Sequence, residues 1–128
     1  MVLAGQALPG KLPRPEPDFD GKLRAAIDET IVDVLGGGVL APLHEHLSKH
    51  YDISLDEIPY RLSTVVESLE VIFGVRGATA MGFMIARRFY SKVGLRFVRN
   101  ENYKLDDYAR EAKTILLNQS SNENPREE

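Results

Sequence analysis

Three histidines stand within seven residues: His44, His46 and His50. His46 and His50 are four apart, so on a helix they project from one face, as metal-binding pairs do, while His44 points elsewhere. A catalytic zinc takes three protein ligands, and the neighbouring Glu45 lies on the wrong side to be the third. The spacing is therefore not that of an HExxH site. The expectation is a polar helix face, with a weak transition-metal site at His46 and His50 only where a carboxylate from another helix joins them.

Charge gives a second candidate. The chain carries sixteen Lys and Arg against nineteen Asp and Glu, a net charge of −3 that excludes a generally basic nucleic-acid-coating chain. By segment it is polarised. Residues 1–75 hold six basic and twelve acidic side chains, residues 76–104 hold seven basic and one acidic, and residues 105–128 hold three basic and six acidic. The central block is Arg76, Arg87, Arg88, Lys92, Arg96, Arg99 and Lys104, with Phe89, Tyr90, Phe97 and Tyr103 interleaved. Cations among aromatics suit phosphate contact. They equally suit protein contact, or pairing with Asp28, Glu29 and Asp33 of the first helix, within the bundle or across a dimer. The block thus has three readings: an internally paired or solvated face, a protein interface, or a nucleic-acid surface.

Other chemistry is absent from the pattern. The chain has no cysteine, which removes disulfide scaffolds, thiolate zinc sites and thiol nucleophiles and fits a reducing cytoplasm. No serine has the makings of a triad, and Asp56 and Glu57 read as helix-start charges. Gly74-Val75-Arg76-Gly77 has the letters of a KH-domain GxxG loop but no flanking strands, so it reads as one helix ending and the next beginning. Gly36-Gly37-Gly38 lacks the lysine and the preceding strand of a phosphate-binding loop. No catalytic set and no cofactor are expected.

The elements that position these residues follow from the apolar spacing. At 128 residues and 14.3 kDa, with 43% of residues hydrophobic, the chain matches one compact domain. Four of its seven prolines, Pro9, Pro13, Pro15 and Pro17, fall in residues 1–19, which read as a disordered arm. Its segment Pro13–Pro17 could offer a polyproline II stretch to an aromatic groove. A helix is predicted from an Asp20 cap, with Leu23, Ile27, Ile31, Val34 and Leu35 inward, stopped by the triple glycine. A second covers 39–50 on Leu40, Leu43 and Leu47, with Pro42 in its first turn.

Ser54-Leu55-Asp56-Glu57 has capping-box spacing, and Pro59 keeps that element short. A third main helix is predicted from a Ser63 cap to Gly74, burying Val65, Val66, Leu69, Ile72 and Phe73. The fourth covers 78–93 on Met81, Met84, Ile85, Phe89 and Val93, and an extended linker follows. The fifth covers 105–117 on Leu105, Tyr108, Ala109, Ala112, Ile115 and Leu116, with Asp106 and Asp107 at its start. Residues 118–128 read as a disordered acidic tail. The expected fold is an all-α bundle of about five helices over residues 20–117.

No basic leader precedes the apolar letters at the N-terminus, so no signal peptide is expected. Val71–Ala86, interrupted by Arg76 and three glycines, is shorter than the ~20 residues of a membrane helix. A soluble, cytoplasmic chain is the expectation.

Several markers together resemble a known family: Leu23, Ile27-Asp28-Glu29-Thr30-Ile31, Val34-Leu35-Gly36, Leu47, Ile53 to Pro59, Leu69, Ile72-Phe73-Gly74, Gly77-Ala78, Arg88-Phe89-Tyr90 and Gly94-Leu95. Over about residues 22–114 the chain resembles the small archaeal helical output domain of the NitrOD type, or a stand-alone relative of it. The resemblance implies a helical module downstream of sensors in signalling chains, with no established chemistry. Between residues 39 and 50 the histidines depart from the family's aromatic and acidic positions, so no ligand role carries over there. The resulting expectation is a non-enzymatic signalling or interaction module with a protein partner. Self-association is expected through the fourth helix, whose glycines would allow close approach. A nucleic-acid surface and a metal or small-ligand site are the rivals.

Overall fold

The computed structural model describes residues 15–123. Its fold is all-α: α1 Pro15–Leu35, a 3-10 turn Gly37–Val39, α2 Leu40–Tyr51, a 3-10 segment Leu55–Tyr60, α3 Leu62–Lys92 and α4 Leu105–Glu123. The long α3 is central, with α1 and α4 packed on it and α2 closing one end.

Gly74 breaks α3 into two arms. Its φ of 81° and ψ of 164° fall in a region that essentially only glycine occupies. The third and fourth helices expected from the sequence are therefore the two arms of one kinked element. The GxxG letters are explained by that kink.

Several boundaries differ from expectation. α1 begins at Pro15 rather than at an Asp20 cap, because the missing amides of Pro15 and Pro17 cost nothing in a first turn. Asp20 instead accepts a hydrogen bond from the Tyr60 hydroxyl at 2.5 Å. The rest of the proline arm, residues 1–14, lies outside the described residues, and with it part of the polyproline II segment. Ser63 sits inside the first turn of α3, and the cap position is Arg61. The guanidinium of Arg61 reaches back to the carbonyls of Asp52 at 3.0 Å and Tyr51 at 3.4 Å, tying α2 to α3. α4 continues to Glu123, six residues past Leu117, and residues 124–128 lie outside the described residues. The capping box at Ser54 is present, with the Ser54 amide donating to Glu57 at 3.0 Å. That bond holds the Glu57 carboxyl below its ordinary value.

The core contains Leu23, Ile27 and Ile31 of α1, Leu43 and Leu47 of α2, Val65, Leu69, Met81, Ile85 and Phe89 of α3, and Leu105, Tyr108 and Ala112 of α4. Phe19 meets Phe89 edge-on at 5.0 Å, locking the start of α1 onto α3. Four residues expected inside are exposed instead: Val34, Leu35, Ile72 and Met84. Val34 and Leu35 occupy the last turn of α1, and Ile72 adjoins the Gly74 kink. Met84 faces away from the core because Met81 and Ile85 already fill that side.

Among the described residues, α3 is long and apolar enough to cross a membrane by length and composition, with a mean hydropathy of 1.5 over its best window. It is longer than Val71–Ala86 because its two arms join at the Gly74 kink. The apolarity has a second outlet here, since α1 and α4 bury its inner side.

Candidate interaction site

The tertiary structure divides the basic block in two. Along the inner side of α3, Arg88 donates to Glu29 at 3.3 Å and to Asp33, and Lys92 approaches Glu29 at 3.0 Å. Lys92 and Arg88 hold the Glu29 carboxyl below its ordinary value, and Asp33 together with Glu29 raises the Arg88 guanidinium. Lys104 pairs with Glu70 at 3.0 Å, which raises its ammonium. The pairing foreseen between the block and the acidic first helix thus exists for Arg88 and Lys92. Asp28, also named as a possible partner of the block, turns to α2 instead and contacts His44 at 3.2 Å.

Arg76, Arg87 and Arg96 are exposed and have no ion-pair partner among the described residues. Arg99 lies over the Phe83 ring, 4.9 Å from its centroid, a cation–π contact. Beyond Gly74 the second arm is regular helix. Spacing then places Arg76, Ala80, Phe83 and Arg87 on one outward line, flanked by Thr79 and Met84. Val75 extends the line by one turn through Thr79, and is 63% exposed.

A groove of about 390 Å³ lies along this line, lined by Thr79, Ala80, Phe83 and Met84 on α3 and by Arg99, Asn100, Glu101 and Tyr103 across from them. Its far wall is the 93–104 loop, and this loop is held firmly. Phe97 packs between Phe83 at 5.3 Å, Tyr90 at 5.4 Å and Tyr108 at 5.2 Å. The Tyr108 hydroxyl donates to the Asn100 carbonyl at 3.0 Å and accepts from the Asn100 amide at 2.9 Å. Tyr90 donates to the Tyr108 carbonyl at 2.8 Å, and burial pushes its own hydroxyl up to about 12. The Lys104 amide is capped by Asp107 at 2.9 Å, which fixes where the loop re-enters helix. Val98, on the same loop, is 66% exposed. The groove is therefore preformed, with an apolar floor and Arg99 on its rim, and helical spacing puts Arg76 and Arg87 one turn beyond it on either side.

The histidines do not form a comparable site. His46 and His50 share a face as expected, with ring centroids 4.6 Å apart, but among the described residues no group of three or more His, Asp and Glu comes together. Glu45 pairs with Lys49 at 3.0 Å instead. A two-donor pair does not make a metal centre. A second hollow of about 250 Å³ between Phe19, Tyr60 and Lys113 is lined by charges already engaged, Arg110 with Asp106 and Asp107 among them.

Sequence periodicity missed Phe83, Thr79 and Ala80 as site residues and placed Met84 in the core. The available signal was Phe83 itself, a large aromatic out of register with Met81, Ile85 and Phe89. No family model, no curated protein and no solved structure matches the chain.

Proposed function

We propose that this protein is a non-enzymatic interaction module that binds a protein partner through the outer face of α3 and the 93–104 loop. One observation carries this reading: Ala80, Phe83 and Met84 line a preformed groove, and Arg76 and Arg87, exposed and without ion partners among the described residues, stand one helical turn beyond it on the same arm, while Arg88 and Lys92 of the inner face are internally paired. Exposed apolar surface of this kind is what interfaces use, and arginine is enriched there. The resemblance to the NitrOD-type output domain supports the same class of function, an output passed on by contact in the cytoplasm.

The test is capture by the tagged full chain from its native lysate, compared with Ala80→Glu/Met84→Glu on the groove and Ser48→Glu on the exposed side of α2. All three substitutions sit at exposed positions, and circular dichroism checks that the fold is kept. Proteins retained by wild type and Ser48→Glu but lost by the groove variant are the expected result. Capture indifferent to the groove variant overturns the reading.

A nucleic-acid surface is the second reading, favoured by the stacking of Arg99 on Phe83 beside Tyr103. Titration with short duplexes and single strands at two salt concentrations decides it, since phosphate binding weakens steeply with salt.

A further inference from the structure

We infer that the groove takes an acidic amphipathic helix from a different protein, its carboxylates meeting Arg76 and Arg87 and its apolar row seated on Ala80, Phe83 and Met84. This deepens the interaction-module reading and rests on it. Arg76 and Arg87 are eleven residues apart on one straight helical arm, or about 16 Å at 1.5 Å per residue. Between them lies an apolar row at spacings of three and four, the pattern that helix-in-groove recognition matches with anchors of the same spacing.

The charges select among occupants. Glu101 is the single carboxylate in the groove's lining. Arg99 in the lining offsets it, and Arg76 and Arg87 stand one helical turn beyond the lining on either side along α3, so a helix long enough to overhang the groove with acidic ends gains complementary contacts at each end. A second copy presenting this same face does not. A two-fold interface brings the patch against itself, so arginines would face arginines whether the helices ran parallel or antiparallel. The close approach that glycine permits is also taken up inside the molecule, where Gly82 backs onto Leu105 of α4. Nucleic acid would meet the arginines but gain nothing from aliphatic Val75, Ala80 and Met84. A lipid surface favours a protruding apolar face, and this one is concave.

The probe is a helical peptide of about 16 residues with two Glu eleven apart and Leu at the fourth, seventh and eighth positions between them, set to mirror the groove. Its companions are an isomer of the same composition with the face scrambled and a version with Lys in place of Glu. Binding to the full-length protein is read by fluorescence anisotropy. The acidic amphipathic peptide should bind saturably, the scrambled isomer at least tenfold more weakly, and the Lys version not at all. Arg76→Glu/Arg87→Glu should lose about tenfold in affinity for the acidic peptide and gain affinity for the Lys version.

Equal binding of the scrambled isomer overturns the inference, as does no binding of any peptide. Tighter binding of a single-stranded oligonucleotide or of anionic vesicles also overturns it, as does a dimer in sedimentation that Arg76→Glu/Arg87→Glu dissolves. Failure here is distinguishable from failure of the broader reading. If lysate capture is lost in Ala80→Glu/Met84→Glu but unchanged in Arg76→Glu/Arg87→Glu, the module stands and the acidic partner falls.

Discussion

Arg87 and Arg88 are neighbours in the chain and opposites in the fold. Arg88 reaches Glu29 and Asp33 of α1 across 59 and 55 residues of sequence, whereas Arg87, about 100° further round the helix, has no ion partner among the described residues. The inner face of α3 is occupied by the protein's own helices, and its charges are settled there. Along the outer face, apolar side chains and arginines stand beside a fixed loop. The difference teaches that a basic block in sequence is not one functional unit. Rotation about a helix axis sorts it into cations paired within the bundle and cations without an ion partner among the described residues.

The largest test of that contrast is in the aromatic pair. Phe89 is fully buried on the inner side, and Phe89→Ala should cost about 3–5 kcal/mol by cavity formation. Phe83→Ala on the outer side should cost clearly less by urea unfolding. Equal losses would mean that the outer face also holds the fold together.

Next is the kink. Gly74→Ala puts a side chain where the backbone demands a glycine-only conformation, although no neighbouring atom obstructs the new methyl. The expected loss is about 1–3 kcal/mol. An unchanged midpoint would show that the two arms straighten without penalty, and the outer line would then run further toward Ile72 and Val71.

A smaller effect separates the two arginines directly. Arg88→Ala should lower the urea midpoint measurably, though well short of Phe89→Ala, and Arg87→Ala should leave it unchanged. The reverse order would erase the distinction between the faces.

The smallest effect is in acid. Interaction with Lys92 and Arg88 lowers the Glu29 carboxyl below its ordinary 4.5. A depressed carboxyl contributes stability above its unfolded value, and that contribution disappears as pH falls through the folded value. Wild type should therefore be more stable than Glu29→Gln at neutral pH, with the gap closing below about pH 4.5 and gone once Glu29 is protonated in the fold. A gap independent of pH would mean that the ion pairs are not its source. Added salt should narrow the gap too, because both partners are partly exposed.

Much of the fold was legible in the letters. Leu23, Ile27 and Ile31, then Leu43 and Leu47, then Leu105, Tyr108 and Ala112, are inside as their spacing required. Gly36 ended α1 where expected, Gly74 broke α3 at the expected residue though as a kink rather than an end, and Ser54 with Glu57 capped where expected. Ile72 and Met84 were misplaced because apolar spacing does not mark the edge of the covered face. Periodicity records that a residue is apolar and roughly on a given side, but it does not say how wide or how long the covered strip is. Ile72 adjoins the kink at Gly74, and Met84 is turned outward between buried Met81 and Ile85. Asp20 and Ser63 failed as caps because their propensity for helix starts was overridden by upstream starts at Pro15 and Leu62.

The candidate site was half legible. Arg76, Arg87, Arg96 and Arg99 were flagged with Arg88, Lys92 and Lys104 as equals, and nothing local distinguishes them. The groove wall was not visible, because it depends on Phe97 clamping the 93–104 loop against Phe83, Tyr90 and Tyr108.

By itself, then, the sequence determined the helical class, the glycine breaks and the polarised charge, all of which follow from interactions within a few residues along the chain. Only the tertiary structure decided which cations are engaged and which are left over. Pairing is set by distances in space, and the acids that claim Arg88 and Lys92 lie 55 to 63 residues away in sequence. The groove belongs to the same category: it exists because α1 and α4 occupy the inner side of α3 and the 93–104 loop folds back beside the outer residues Thr79, Ala80, Phe83 and Met84.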